Sequence, residues 1–443
     1  MGNVLEHTLR YCQKLIPLSV YTFGQPIYHH TLACLGGIVY RFPSRRIKVI
    51  GVTGTKGKSS TTEIINAILE EAGYRTALSN TIRYKVADQS HPNLFKMSMP
   101  GRFFIQRLIR QAVSAHCDYV ILEMTSQGTL QYRHKFLHLD TFVFTNLSPE
   151  HIESHGSYEQ YVAAKVRIAA ELNNSKKDNR IIVVNADDAE SVRFLNCDAD
   201  MKVSFKITDV APYEIGIAGI DFTLKNASTT QSLRVHSPLS GLFNLYNILA
   251  AITATRAQGV SDEIIARAIT KFSGIRGRVE RVEVPSAKNG TPQAFEVVVD
   301  YAHTPDSLTK LYEVFKTNYI IGILGGTGGG RDGWKRKEMG RIADTYCSDI
   351  ILTDEDPYDE NPDKIVADVA LGITTKKPTI IMDRRQAIHE AITRARALSS
   401  DTTLNKKVSI LITGKGTDPY IMGPNNTKTP WSDAAIAREE LAK

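Results

Sequence analysis

The sequence predicts an α/β protein. Its centre is a doubly wound parallel sheet built around a phosphate-binding loop (P-loop), with a second α/β domain behind it and a short helical segment in front. Three observations carry this. Short apolar strands alternate with helical patterns from residue 47 onward. A glycine-rich turn joins one such strand to one such helix between Lys48 and Thr62. The alternation resumes after Gly274–Gly277, which sets the predicted boundaries at 1–46, 47–275 and 276–443. The 443 residues, 42% hydrophobic and 23% charged, have the balance of a globular enzyme of two or three domains.

Residues 1–46 read as helical. Glu6, His7 and Arg10 and the lack of a compact apolar core before a cleavage site argue against a signal peptide. The apolar run His30–Phe42 is too short to span a bilayer and reads as a packing helix. Its alternative is contact with a membrane surface beside Arg41, Arg45, Arg46 and Lys48.

The stretch Lys48–Thr62, KVIGVTGTKGKSSTT, starts as a buried strand, breaks at Gly54, and resumes as a helix from Ser60 to Ala72. Gly54 and Gly57 let the backbone close on phosphates, and the first helical N–H groups donate to them. Lys58 would reach the β- and γ-phosphates, and the Ser59 hydroxyl would sit on Mg²⁺. The common spacing asks for glycine where Val52 stands. The compact form is met by Gly54, Thr55, Lys56, Gly57, Lys58 and Ser59, with Ser60 following.

A turn-rich segment, Thr81–Gly101, precedes a helix at Phe103–Ala115. Strands at Tyr119–Leu122 and Thr141–Thr145 end beside Glu123 and Asn146, where ligands of such sheets collect, as does His151. Residues 181–240 read as short strands in a β-rich insertion or edge sheet of the same domain, and Gly241–Gly259 as a helix placing Asn244 and Asn247 on one face. Later strands fall in FEVVVDYA, NYIIGILGG, DIILTDE, TIIMD and SILITGKG. The net charge of +7 gives mild attraction to anionic substrates, and no basic tract interleaved with aromatics points to nucleic acid. Five scattered cysteines (Cys12, Cys34, Cys117, Cys197, Cys347) imply reduced thiols in a cytoplasmic protein, with neither a disulfide frame nor zinc.

Ten motifs then stand in order: GTKGKSS, LEMTSQGTLQYR, FTNLSPEHIESHG, YVAAK, GLFNLYNILAA, GIRGRVE, DYAHTP, GGRDGWKR, TDEDPYDENP and GKGTD. In this order they resemble the Mur ligases, ATP-dependent amide-forming enzymes of peptidoglycan synthesis. Within that family they are most similar to the UDP-N-acetylmuramoyl-tripeptide synthetases, which add the third amino acid of the stem peptide. The resemblance implies a Rossmann-like C-terminal domain, ATP and Mg²⁺ as cofactors, and a nucleotide-sugar peptide and a free amino acid as partners. It implies that a substrate carboxylate takes the γ-phosphate and that an amine then displaces phosphate from the acyl carbon. Ser59, Glu123 and His151 would hold Mg²⁺, joined by Lys165 once carbamylated by CO₂. Asn247 would contact adenine, Arg278 the nucleotide phosphates, and Asp300 and His303 the ribose and phosphate. Ser98, Thr125, Gln131 and Arg133 would hold the acceptor, and Arg331 the α-carboxylate of the incoming amino acid.

The sequence departs from the family in two places. Members that take diaminopimelate carry Asp-Asn-Pro-Arg, where this chain has Glu355-Asp356-Pro357-Tyr358. Tyr358 replaces the arginine fork for a distal carboxylate, and Glu355, Asp356 and Asp359 could pair with an ammonium, so the frame leans toward a basic side chain such as lysine or ornithine; the same acids would also suit a solvated loop. The family's Gly-Lys-Gly-His-Glu becomes Gly414-Lys415-Gly416-Thr417-Asp418. In front of the P-loop strand, residues 1–46 are too few for the family's uridine-binding domain, so a shortened uridine site, or a lipid-linked or polymeric muropeptide acceptor, is expected. The competing readings are another amide ligase of the superfamily (folylpolyglutamate-synthase-like or cyanophycin-like) and a nucleotide-binding regulatory protein without ligase activity.

Overall fold

Strand β1 (Lys48–Thr53) is buried at every position but its first, because strands flank it on both sides and its apolar side chains fill both faces. It lies in an eight-stranded sheet with β2 (Thr76–Ser79), β3 (Arg83–Val86), β4 (Gln89–Pro92), β5 (Tyr119–Glu123), β6 (Thr141–Phe144), β7 (Ile181–Asn185) and β8 (Met201–Phe205). The order is β4-β3-β2-β5-β1-β6-β7-β8. All pairs are parallel except β2–β3 and β3–β4, as expected for a doubly wound sheet with an antiparallel edge. The computed structural model describes residues 18–150, 155–225, 232–283, 293–330 and 333–443.

Helix α1 (Leu18–Val39) packs on α3 (Arg102–Ser114), and the Arg110 guanidinium donates to the Tyr40 carbonyl at 2.6 Å. Helix α2 (Lys58–Glu71) follows the glycine-rich turn. Among the described residues this part also holds α4 (Ser126–Leu130), α5 (Tyr158–Ala169) and α6 (Ser191–Leu195). Val49, Ile109, Val120, Phe142, Ile168 and Ile182 belong to one buried cluster joining sheet and helices.

The chain divides into two compact units. One holds the residues up to Lys206 with Asn247–Ile265; the other holds Ile207–Tyr246 with Ala266–Lys443. Helices α7 (Leu242–Arg256) and α8 (Asp262–Lys271) run across this division.

In the second unit β9 (Tyr213–Ile215), β10 (Ile220–Lys225) and β11 (Ser232–Ser237) form an antiparallel sheet. A six-stranded sheet has the order β12-β13-β17-β14-β15-β16, from β12 (Glu280–Arg281), β13 (Glu296–Val299), β14 (Tyr319–Leu324), β15 (Asp349–Leu352), β16 (Thr379–Ile380) and β17 (Val408–Ile412). All its pairs but β12–β13 are parallel. Alternate residues of one strand enter different cores. Val298 joins Leu308 of α9 (Pro305–Phe315), Ile342 of α10 (Trp334–Tyr346) and Val366 of α11 (Pro362–Ala370). Val297 and Val299 join Ile392 of α12 (Arg384–Ser399) and Ala437 of α13 (Asp433–Leu441).

Two local readings differ from the expectation. Of the strands expected at 181–240, β7 and β8 extend the main sheet in parallel, because all five residues of β7 are buried, while β9–β11 form a sheet apart. The turn-rich segment contains the β3–β4 hairpin. β4 is fully exposed, so its edge position leaves no burial pattern to read. Among the described residues no helix is long and apolar enough to cross a membrane, and Cys34, Cys117, Cys197 and Cys347 are free thiols. Cys12 lies outside the described residues.

Candidate functional site

The register of the central strands sets the site. Glu123 pairs across from Val52, and Phe144 from Thr53, so the ends of β5 and β6 stand level with the start of the glycine-rich turn. Thr55 N–H donates to the Asn146 carbonyl (2.8 Å) and Lys56 N–H to Asn146 Oδ1 (3.0 Å), which pins the turn to the end of β6. Gly54 and Gly57 are required sterically. A Cβ on Gly54 would lie 1.9 Å from Thr145 Oγ1, and one on Gly57 2.0 Å from Asn247 Oδ1. Gly57 also has φ +79°.

Lys58 Nζ folds over the turn, donating to the carbonyls of Gly54 (3.0 Å) and Thr55 (2.9 Å). Ser59 Oγ donates to Glu123 Oε2 at 2.7 Å, and Ser60 is buried beside it in the first turn of α2. Glu123 is buried and also receives Thr81 N–H (3.0 Å), Thr81 Oγ1 (3.0 Å) and Ser98 Oγ (2.8 Å). Burial alone would raise its carboxyl, but the Lys58 charge and the donated hydrogen bonds outweigh it and hold Glu123 below the usual range. The structure thus keeps an anion at the carboxyl end of β5.

Lys165 of α5 is 2% exposed, and its Nζ donates to the Gly54 carbonyl at 2.6 Å. Burial first, then repulsion from Lys58, pushes its ammonium well below the ordinary value, against the attraction of Glu150 and Glu123. Its Nζ lies 5.0 Å from the Tyr161 ring centroid, and the Tyr161 hydroxyl hydrogen-bonds Thr55 Oγ1 at 2.9 Å. Lys56 pairs with Glu150 at 2.5 Å, and Thr61 Oγ1 reaches Asn247 Oδ1 at 3.5 Å. Gly54, Thr55, Lys56, Gly57, Lys58, Ser59, Ser60, Ser98, Glu123, Lys165 and Asn247 therefore form one neighbourhood. His151 lies outside the described residues.

A second group adjoins it through Ser98 and Met99. Thr125 caps α4 by accepting from Gly128 N–H at 3.2 Å. Arg133 donates to the Met99 carbonyl and to Gln131 Oε1, while the Gln131 carbonyl accepts from Arg102 at 2.6 Å. Arg133 Nε is buried without a hydrogen-bond partner. Burial, then Arg102, lowers the Arg133 pKa to about 10. A cation with a buried donor unused suits an anionic ligand group.

The second unit carries the remaining residues. The Arg278 guanidinium lies 4.4 Å from the Tyr301 ring centroid, and Arg278 Nη1 donates to the Gly277 carbonyl at 2.8 Å. Asp300 accepts from the N–H groups of Val279 and Ala302, each at 2.7 Å, and His303 Nδ1 is 2.6 Å from the Tyr301 carbonyl oxygen. Asp356 Oδ1 is already paired: it accepts from Lys415 Nζ (2.8 Å) and Met422 N–H (2.7 Å). Lys415 also reaches Asp418 Oδ2 at 3.4 Å. Tyr358, with φ +53°, lies against Gly329. Gly414 backs onto Glu355, where a Cβ would meet Oε2 at 2.2 Å. Glu355 is buried, accepts from Thr327 Oγ1 at 3.0 Å through Oε1, and has no hydrogen-bond partner on Oε2. Burial raises its carboxyl to about 7, against the charges of Arg384 and Lys415. Arg331 lies outside the described residues.

Sequence reasoning did not single out Thr81, Tyr161 or Lys415. Tyr161 stands four residues before Lys165 on one helix, a spacing that puts both on one face. Thr81 follows β2 at the carboxyl edge of the sheet, a position that could have flagged it.

Comparison with known proteins places this geometry. Residues 52–255 match the Mur ligase middle domain, and residues 277–416 the Mur ligase glutamate ligase domain. The whole chain is 36% identical to a UDP-N-acetylmuramoyl-L-alanyl-D-glutamate--2,6-diaminopimelate ligase of Gloeobacter violaceus, covering 86% of it. Over 93% of the chain it is 34% identical to a UDP-N-acetylmuramyl-tripeptide synthetase of Roseiflexus sp., covering 82% of that protein. A solved diaminopimelate ligase of the same description superposes with TM-score 0.60 at 27% identity, over 89% of this chain and 78% of its own. A folylpolyglutamate synthase of Mycobacterium tuberculosis, solved with ADP and AMPPCP, shares the fold, with TM-score 0.68 at 15% identity over 93% of this chain and 95% of its own.

Proposed function

We propose, for a chain that belongs to the Mur ligase family of ATP-dependent amide-bond-forming ligases, that it adds an amino acid to a carboxylate of a UDP-N-acetylmuramoyl-peptide in the cytoplasmic stage of peptidoglycan precursor synthesis. The observation that carries this reading is the cluster in which Lys58, Ser59, Glu123 and Lys165 meet at the glycine-rich turn. The acceptor carboxylate attacks the γ-phosphorus of ATP and ADP leaves. The amine of the incoming amino acid then attacks the acyl carbon, phosphate leaves, and the amine proton passes to solvent. Several anionic groups must meet, so catalysis is positioning and charge neutralisation.

The turn's N–H groups and Lys58 would hold the triphosphate. Asn247, Arg278, Asp300 and His303 are assigned to the rest of the nucleotide. The donor set fits magnesium: a carboxylate kept ionised and a hydroxyl 2.7 Å from it are hard oxygen ligands. Bound there, Mg²⁺ would neutralise charge on the phosphates. Lys165, its amine biased toward the neutral form, is suited to add CO₂ and lose a proton, giving a carbamate. Ser98, Thr125, Gln131 and Arg133 are assigned to the acceptor, with Arg133 Nε, buried without a hydrogen-bond partner, as a donor left for an anionic group. On the amino-acid side, Gly414 and Asp418 flank Lys415, whose charge occupies Asp356, so Glu355 Oε2 is the buried acid left to meet an ammonium.

The test is amino-acid-dependent phosphate release from MgATP with UDP-muramoyl-dipeptide, across lysine, ornithine, diaminopimelate and glutamate. The expected result is release with a basic amino acid and a product heavier by that residue. ATP binding without release for any amino acid would overturn the assignment of the acceptor. In the same assay Tyr358→Arg should raise diaminopimelate use at least about tenfold, because a guanidinium fork grips a carboxylate bidentately. An unchanged amino-acid profile would show that position 358 does not read the side chain.

A further inference from the structure

We propose that one face of the first unit, made by α1, the loop leading into α3 and the turn after α4, docks on an anionic lipid surface. The first observation is exposure. Helix α1 leaves Ile27, Tyr28, Leu35, Ile38 and Val39 in solvent, the last at 61% exposure. The adjoining segments add Leu94, Phe95, Met97, Phe103 and Leu130. Scattered apolar residues need no explanation, but these sit on elements packed together. Arg102 of α3 contacts His29 of α1 and donates to the Gln131 carbonyl at 2.6 Å. The His30 ring lies 5.2 Å from Phe136, and Phe95 packs on Phe104 at 5.3 Å.

The second observation is charge. No Asp or Glu occurs from His7 to Thr62, from Gln89 to Cys117 or from Met124 to Leu139, and these stretches supply every element of the face. They carry Arg41, Arg45, Arg46, Arg107 and Arg110. Two acids of neighbouring segments are engaged elsewhere: Glu171 pairs with Lys135, and Asp140 with Lys177 at 3.1 Å. Cations on stretches of sequence that hold no acid, mixed with apolar and aromatic side chains, match the boundary between acidic headgroups and acyl chains. A nucleic acid would use the cations and leave the aliphatic stripe of α1 in water. A second copy would set cations against cations. The fit is to lie along the surface, since among the described residues no helix is long and apolar enough to cross a membrane.

The inference goes beyond the ligase reading and stands without it, because docking is read without turnover. The full chain would be sedimented with phosphatidylcholine vesicles, with and without phosphatidylglycerol, at low and raised salt. Binding should require phosphatidylglycerol and weaken with salt. The exposed pair Ile38→Glu and Val39→Glu should cut partition at least about tenfold while the melting temperature holds. A second variant, Arg41→Gln with Arg46→Gln, should lower binding to acidic vesicles alone. Failure to sediment with either vesicle would overturn the proposal, as would unchanged binding by the glutamate variant. So would preferential capture of an RNA homopolymer, or a dimer in solution that the same glutamates dissociate.

Discussion

Lys165→Ala should lower turnover by at least about a hundredfold, the size of loss seen when one preorganised charge is removed from a transition state, and leave ATP binding close to that of the parent. The side chain sits where its charge matters most. It is 2% exposed and donates at 2.6 Å to the Gly54 carbonyl, behind the phosphate-binding turn. Its ammonium is disfavoured by burial and then by Lys58. A free cation there adds repulsion to Lys58 and to any divalent ion, whereas a carbamate reverses both effects. Parent enzyme stripped of CO₂ should therefore lose activity and regain it on adding bicarbonate, while the alanine variant stays inactive at any CO₂ level. If ATP affinity fell in step with turnover, Lys165 would be shaping the turn through Gly54 and not serving the reaction. If bicarbonate changed nothing in the parent, the free amine would be the working form.

The parts of this site that the sequence makes legible are those in which the backbone dictates residue type. Gly54 and Gly57 are needed because any Cβ would strike Thr145 or Asn247, so the motif and the geometry are one fact. The parallel strands were readable because burial on both faces removes polar alternation, as in β1 and β7. Long-range pairings were not. Asp356 reads as a loop acid available to an ammonium, yet it meets Lys415, 59 positions away, and no local pattern encodes that contact. The same holds for Thr81, which reaches Glu123 across 42 positions, and for the hairpin of β3 and β4, whose outer strand is exposed. β10 and β11 were legible as strands, whereas the three exposed residues of β9 were not, and the membership of this sheet in the second unit depends on packing and not on propensity.

Gly57→Ala should weaken ATP binding by at least about a hundredfold, the loss expected when a turn whose N–H groups form the phosphate cradle cannot keep its shape, and should also lower the stability of the unit. Two separable effects add. The residue caps α2 with φ +79° and ψ −8°, a left-handed conformation that costs an L-residue about 1–2 kcal/mol. Its new methyl would also lie 2.0 Å from Asn247 Oδ1, so either Asn247 withdraws from Thr61 or the turn lifts. Asn247→Ala in the Gly57→Ala background removes the collision but leaves the dihedral penalty. Thermal denaturation should then show the double variant recovering part of the stability lost by Gly57→Ala, with the unrecovered part equal to the conformational cost. Strict additivity of the two substitutions would mean that the turn had already moved off Asn247, and the collision would not be the cause of the loss. Full recovery would mean that an alanine at this cap bears its left-handed backbone without strain, and the glycine would then be explained by Asn247 alone.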